Sequence, residues 1–196
     1  MNFQKKTFDN GLRLLTIPME QNQIVTVMVL VATGSDYELE SEKGLSHFLE
    51  HMSFKGTEKR PSSQHINYEL DALGSVSNAF TGNEYTGYYA KAHARHTDKI
   101  LDIISDLYLN SKLPEDEMEK ERGVIIEEIN MYEDRPQSKV GEVYDALLYG
   151  TQPAGSPIIG TKESVSSFTR QNFVDYKAKQ YIASKTLVIV SGNVNH

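Results

Sequence analysis

Cysteine is absent from the 196 residues. Disulfides and a thiolate zinc site are thereby excluded, and any metal chemistry must rest on nitrogen and oxygen donors. An excess of positive charge is also missing: 20 Lys and Arg stand against 27 Asp and Glu, a formal charge of −7. That balance argues against nucleic acid as a partner and mildly favours positively charged substrates, although much of it is expected on solvated helix faces. No window approaches a membrane span, since the longest apolar run, residues 24–32, is broken by Thr26 and suits a buried strand. The opening Met1-Asn2-Phe3-Gln4-Lys5-Lys6 lacks the apolar region of a signal peptide, so a cytoplasmic protein with no membrane partner is expected. There is no low-complexity tract and no convincing internal repeat. What is present, 39% hydrophobic and 24% charged residues, reads as an ordinary soluble globular chain, long enough for one large domain or a packed half of a bigger protein.

The chemistry concentrates in Gly44-Leu45-Ser46-His47-Phe48-Leu49-Glu50-His51-Met52. On a helix of 3.6 residues per turn, His47 and His51 share a face and Glu50 lies beside them at i+3 from His47. Two neutral imidazoles at this spacing suit Zn²⁺, and a neighbouring carboxylate could take a proton from water at such an ion. His-x-x-Glu-His is the inverted form of the zinc-protease motif. Histidine pairs on helices also arise without a metal, capped or solvated, and a third ligand must come from elsewhere.

Residues 2–8 and 12–18 read as strands of a hairpin turned by Asp9-Asn10-Gly11. Residues 24–33, rich in valine with little alternation, read as an interior strand. The motif helix is expected from Ser41 or Glu42 to about Phe54. A short helix after Pro61, with Ile66, Leu70 and Leu73 on one face, stops at Gly74. Segments 75–81 and 85–92 form a second hairpin around Gly82-Asn83. Helices are expected at 97–110, 115–133, 141–148 and 169–181, and a final buried strand at 186–191. This order predicts an α+β fold, one domain over 1–196, with a mostly antiparallel sheet covered on one face by helices.

The long helix is the best place for a third ligand. Glu121 and Glu128 are seven residues apart and share a face, whereas Glu127 points elsewhere. Glutamates on so polar a helix are usually solvent-facing. Val124, Ile125 and Ile129, however, mark this part as at least half buried, where an unpartnered carboxylate is unfavourable and a cation would compensate it.

With Glu121-Arg122-Gly123-Val124-Ile125-Ile126-Glu127-Glu128 beside His47-Phe48-Leu49-Glu50-His51-Met52, the chain resembles the pitrilysin/insulinase family of zinc peptidases, which includes the mitochondrial processing peptidase. The likeness runs from Asn10-Gly11-Leu12 through Asn78-Ala79-Phe80-Thr81 to Ser191-Gly192-Asn193. It implies a fold like one half of the processing peptidase and one Zn²⁺ per chain on His47, His51 and Glu128. Glu50 would be the general base of an endopeptidase, and Glu121 a carboxylate orienting a ligand or, alternatively, a surface ion-pair residue. The strand 75–81 is either plain sheet or, as in the family, an edge to which an extended peptide substrate adds through Asn78, Ala79 and Phe80. Family members carry a second similar half that closes over the first and contributes an arginine and a tyrosine, and no such half lies within these residues. The chain is therefore expected to be an N-terminal part of a longer protein, or to work with a separate homologous subunit, with homodimers a further option. A non-catalytic peptide-binding or assembly subunit of the same fold is the alternative to a peptidase. His65, His93, His96 and His196 are read as surface or structural residues.

Overall fold

A computed structural model describes residues 2–195, so His196 lies outside the described residues. Among the described residues the fold rests on one six-stranded sheet in the order β1-β2-β6-β3-β5-β4. The strands are β1 (Gln4–Thr7), β2 (Arg13–Pro18), β3 (Ile24–Val31), β4 (Val76–Thr81), β5 (Thr86–His93) and β6 (Thr186–Gly192). Only β2 and β6 run parallel, and every other neighbouring pair is antiparallel. Both expected hairpins form; in the first, the Asn10 side chain accepts from Leu12 N at 3.1 Å and sets the turn.

The helices are α1 (Leu45–Ser53), α2 (Ser63–Ala72), α3 (Thr97–Asn110), α4 (Glu115–Glu133), α5 (Pro136–Tyr149), α6 (Lys162–Ser167) and α7 (Arg170–Gln180). They build two cores. In the first, Val25, Val27, Val29 and Val31 of β3 and Tyr88, Ala90 and Ala92 of β5 meet Ile66 and Leu70 of α2 and Ile100, Ile103, Ile104 and Leu107 of α3. In the second, Leu45, Phe48, Leu49 and Met52 of α1 pack with Met118, Ile125 and Ile129 of α4 and with Val165, Phe168 and Phe173. Tyr181 packs against both. No helix among the described residues is long and apolar enough to cross a membrane.

The structure departs from the sequence expectations at five points. Strand β3 does alternate: its valines are buried under α3 while Ile24, Thr26, Met28 and Leu30 are only half-buried on the opposite face. Helix α1 begins at Leu45, because Gly44 takes a left-handed φ of 90° that a continuing helix cannot contain, and residues 40–42 form a separate 3₁₀ turn. Helix α5 starts five residues before 141, with Pro136 in the first turn where its missing N–H is harmless. The short α6 has no periodicity long enough to announce it; Thr161 caps it by accepting from Ser164 N at 3.1 Å. Val124 is 52% exposed, so the apolar burial of α4 is carried by Met118, Ile125 and Ile129 and not by Val124.

The loop after α1 is held from below by Arg60, which is 2% exposed and reaches Asp106 at 2.6 Å, Asp102 at 2.5 Å and Glu69 at 3.2 Å. Thr57 also donates to Asp106 at 2.6 Å. An unpaired buried guanidinium would be strongly destabilising, so this cluster ties the loop to α3. The first core has a direct test in Ile104, which is fully buried. Ile104→Ala should lower stability by roughly 2–5 kcal/mol in urea unfolding. A loss below about 1 kcal/mol would mean that the α3 face can collapse onto the sheet without it.

Candidate metal centre

The packing of α1 on α4 brings the motif together. Phe48, Leu49 and Met52 turn inward to the second core, which leaves His47, Glu50 and His51 on the opposite, cleft-facing side of the same short helix. The imidazole rings of His47 and His51 lie 4.6 Å apart between centroids. Across from them, Glu128 Oε2 sits 3.9 Å from His47 Nε2 and 3.8 Å from His51 Nε2. These separations are too long for hydrogen bonds. They approach the distance, about 3.4 Å, between two donors each about 2.1 Å from one tetrahedral ion. All three donor atoms fall within 4.8 Å of one another. The gap they enclose is the size of a cation, and two neutral imidazoles with one carboxylate are a donor set that Zn²⁺ accepts.

The environment favours the neutral form of His47. Burial lowers the pKa of His47 to about 4, with the neighbouring His51 adding to the effect and Glu121 opposing it. His51 Nδ1 lies 2.8 Å from Glu121 Oε1, an arrangement that gives the Nδ1–H to the carboxylate and turns the Nε2 lone pair toward the gap. The other oxygen of Glu121 pairs with Lys55 Nζ. Burial raises the pKa of Glu121, yet the hydrogen bonds from His51 and Lys55 outweigh it and hold the carboxyl below its ordinary value. With 7% exposure, Glu121 is a buried partner of His51 and no surface ion-pair residue.

Glu50, three residues after His47 and next to His51, stands on the cleft wall. Its Oε2 accepts from Thr81 Oγ1 at 2.5 Å, so the carboxylate is tied to the end of β4. Burial raises its pKa, against the Thr81 hydrogen bond and the nearby His51. Asn78, Ala79 and Phe80 line the same cleft, whose volume is about 680 Å³. Strand β4 is the last in the sheet and pairs only with β5, so its other edge carries backbone groups with no strand partner. Of the sequence-predicted site residues, His47, Glu50, His51, Asn78, Ala79, Phe80 and Glu128 line one cleft, while Glu121 stands behind it against His51. Of the remaining histidines, His65 contacts Ser62 Oγ at 2.8 Å, His93 accepts from Arg95 N, and His96 accepts from Arg95 Nε, all away from the cleft.

Several residues of the site carry no advance signal. Thr81 meets Glu50 only because β4 folds beside α1, and Glu142 and Asp145 of α5 enter the cleft wall by tertiary packing. Lys55 and Tyr132 could have been found: each is four residues past a ligand, His51 and Glu128 respectively, and so on the same side of the chain.

Known proteins point the same way. The family described as Insulinase (Peptidase family M16) matches residues 13–162. A Rickettsia felis protein named an uncharacterized zinc protease is 40% identical over 195 residues, covering 100% of this chain and 47% of its own length. The beta subunit of the mitochondrial-processing peptidase of Bos taurus is 37% identical over 190 residues, covering 96% of this chain and 38% of that subunit. A protease from Helicobacter pylori has the same fold with a TM-score of 0.94 at 27% identity, over 99% of this chain and 47% of that one. The chain thus spans less than half the length of these relatives.

The buried His47 generates a pH prediction for the metal-free protein. Its folded pKa of about 4 lies below the ordinary value of 6.5, so the unfolded chain takes up the proton first as pH falls. Its contribution to stability is full above about pH 6.5 and is lost progressively down to about pH 4. Urea unfolding at pH 7 and pH 5 should show wild type losing on the order of 1–2 kcal/mol more than His47→Gln. Equal pH sensitivity in the two proteins would refute the buried neutral imidazole.

Proposed function

The chain belongs to the insulinase (M16) family of peptidases, and on that premise we propose that it is the metal-bearing half of a zinc endopeptidase acting on extended peptides or unfolded polypeptides. The observation that carries this reading is the ion-sized gap among His47, His51 and Glu128 with Glu50 on the same cleft wall. In this reading the three residues hold one Zn²⁺ and Glu50 is the general base. A bound zinc supplies acidity to a water and polarisation to a carbonyl. Glu50 would be the group that takes a proton from water in the cleft and returns it to the departing amine. Burial raises its pKa above that of an ordinary glutamate, against the Thr81 hydrogen bond. The Thr81 hydroxyl fixes one oxygen of Glu50 and so aims the carboxylate along the cleft. Glu121, by accepting the Nδ1–H of His51, raises the donor strength of Nε2 and fixes the ring plane.

Substrate selection in this scheme falls to β4. An extended peptide adding to its outer edge would be held by backbone hydrogen bonds, with Asn78, Ala79 and Phe80 as contacts and the scissile bond in a set register over Glu50. The rest of the longer protein would supply a second wall that excludes water and contributes cationic and hydroxyl groups to the transition state. A non-catalytic peptide-binding subunit would bind along β4 equally well but would have no use for Glu50 poised beside three metal donors.

Two variants separate the parts. Glu128→Ala removes one of three protein ligands and should lose most of the zinc measured by metal analysis; stoichiometric zinc in that protein would take Glu128 out of the site. Glu50→Gln should bind zinc and peptide as before while hydrolysis falls by on the order of 10² or more. Near-normal turnover would reassign the base. The 196 residues alone should cleave peptides poorly compared with the full-length protein, and mixing with the separately made second half should restore activity. Equal kcat/KM for the isolated chain and the whole would show that no second wall is needed.

A further inference from the structure

Helix α1 is nine residues long and carries His47, Glu50 and His51, so the whole site inherits any looseness at its first turn. The leading N–H groups of a helix need acceptors outside it, normally a serine, threonine, aspartate or asparagine at the cap position. Here that position is Gly44, at a φ of 90°, pressed against the 159–160 loop. A Cβ on Gly44 would stand 2.6 Å from Ile159 O and 2.8 Å from Gly160 Cα, which leaves no room for a capping side chain. The close approach that docks the helix forbids the usual way of capping it.

The acceptor comes instead from Glu38, six residues earlier and 6% exposed. Its Oε2 accepts from Gly44 N at 2.8 Å and its Oε1 from Ser46 N at 2.6 Å. Both oxygens of one carboxylate are thus spent on two amides of the first turn of the motif helix. Ser46 is braced a second time, its hydroxyl lying 2.7 Å from Tyr176 OH, which also reaches Thr33 Oγ1 at 3.2 Å. Burial pushes the Glu38 carboxyl up to about 7, with the Glu42 charge adding to it and the Ser46 and Gly44 amides opposing. Glu38 does not line the cleft and touches none of the metal donors, so the proposed mechanism has no use for it as an acid or base.

We infer that Glu38 is a positioning residue for the metal centre, capping α1 in place of the side chain that Gly44 cannot carry and thereby fixing where His47 stands relative to His51 and Glu128. Ser46 immediately precedes His47, and a shift of its amide turns the His47 ring away from a partner on another helix. His51, one turn further on and held by Glu121, does not follow that shift. The inference rests on the zinc reading for its consequence but not for the cap itself.

Glu38→Gln keeps the shape yet presents an amide N–H₂ to one of the two backbone donors, so it breaks half of the cap without opening a cavity. In the metal-free protein, hydrogen exchange at the Gly44 and Ser46 amides should accelerate about tenfold or more in Glu38→Gln. Zinc affinity, measured by competition with a chelator, should fall about tenfold, the size usual when a group supporting a ligand is lost. Ile104→Ala, which loosens the first core and leaves the Glu38 contacts at the start of α1 in place, serves as the control: it should lower the melting temperature at least as much and leave zinc affinity within twofold. Unchanged exchange at both amides in Glu38→Gln overturns the cap whether or not zinc binds. Faster exchange with unaltered zinc affinity overturns the positioning role. A wild-type protein that takes up no zinc at one per chain, with exchange still accelerated in the variant, sinks the zinc reading and leaves the cap standing.

Discussion

The structure turns on the contact between α1 and α4. Phe48, Leu49 and Met52 bury themselves with Ile125 and Ile129, and this apolar seam decides which side of each helix is left for chemistry. Once Ile125 and Ile129 face inward, Glu121 and Glu128 are carried to the flank of the seam, and once Phe48 and Met52 do so, His47 and His51 meet them. Burial of those side chains, at roughly 1.5–3 kcal/mol each, drives the contact and brings two imidazoles and two carboxylates beside it. The polar groups are tolerated because they are arranged as partners: Glu121 with His51 and Lys55, and Glu128 opposite a gap that a divalent cation fits.

Two glutamates on facing helices are thereby given different work by their surroundings. Glu121 is buried and doubly hydrogen-bonded, and its pKa falls despite burial because His51 and Lys55 favour its charge. Glu50, one helix away, is also desolvated but has only the Thr81 hydroxyl as a direct donor, and its pKa rises. The first environment suits a permanent anion that orients a ring, and the second suits a group that gains and loses a proton. The same contrast extends to Glu38, where burial prevails over two backbone amides. Carboxylates around one short helix are set apart by their donors and not by their identity.

The sheet contributes an edge and an anchor. By ending at β4, it leaves a strand margin beside His47, His51 and Glu128, and by bonding Thr81 to Glu50 it ties that margin to the helix. Arg60 and its three carboxylates hold the segment leaving α1, and Glu38 holds the segment entering it. A helix of nine residues is too short to be stable alone, so these fastenings at both ends are what keep its histidines in a fixed frame.

Sequence alone determined whatever depends on period and local chemistry. The i, i+4 histidines, the shared face of Glu121 and Glu128, the Asn10-Gly11 and Gly82-Asn83 turns, and helices at 97–110 and 115–133 all follow from spacings that a short window contains. The resemblance of the two motifs to a peptidase family joined them before any coordinates did, and the three donors do converge. What a window could not contain was left to the tertiary structure: the late start of α1 imposed by the docking of Gly44 on Ile159 and Gly160, the cap supplied from Glu38, the Thr81 hydroxyl on Glu50, and the entry of α5 into the cleft. Each of these is a contact between segments whose separation in the chain has no period. Only packing, which brings distant surfaces together to remove apolar area from water, decides which side chains then find themselves within hydrogen-bonding reach.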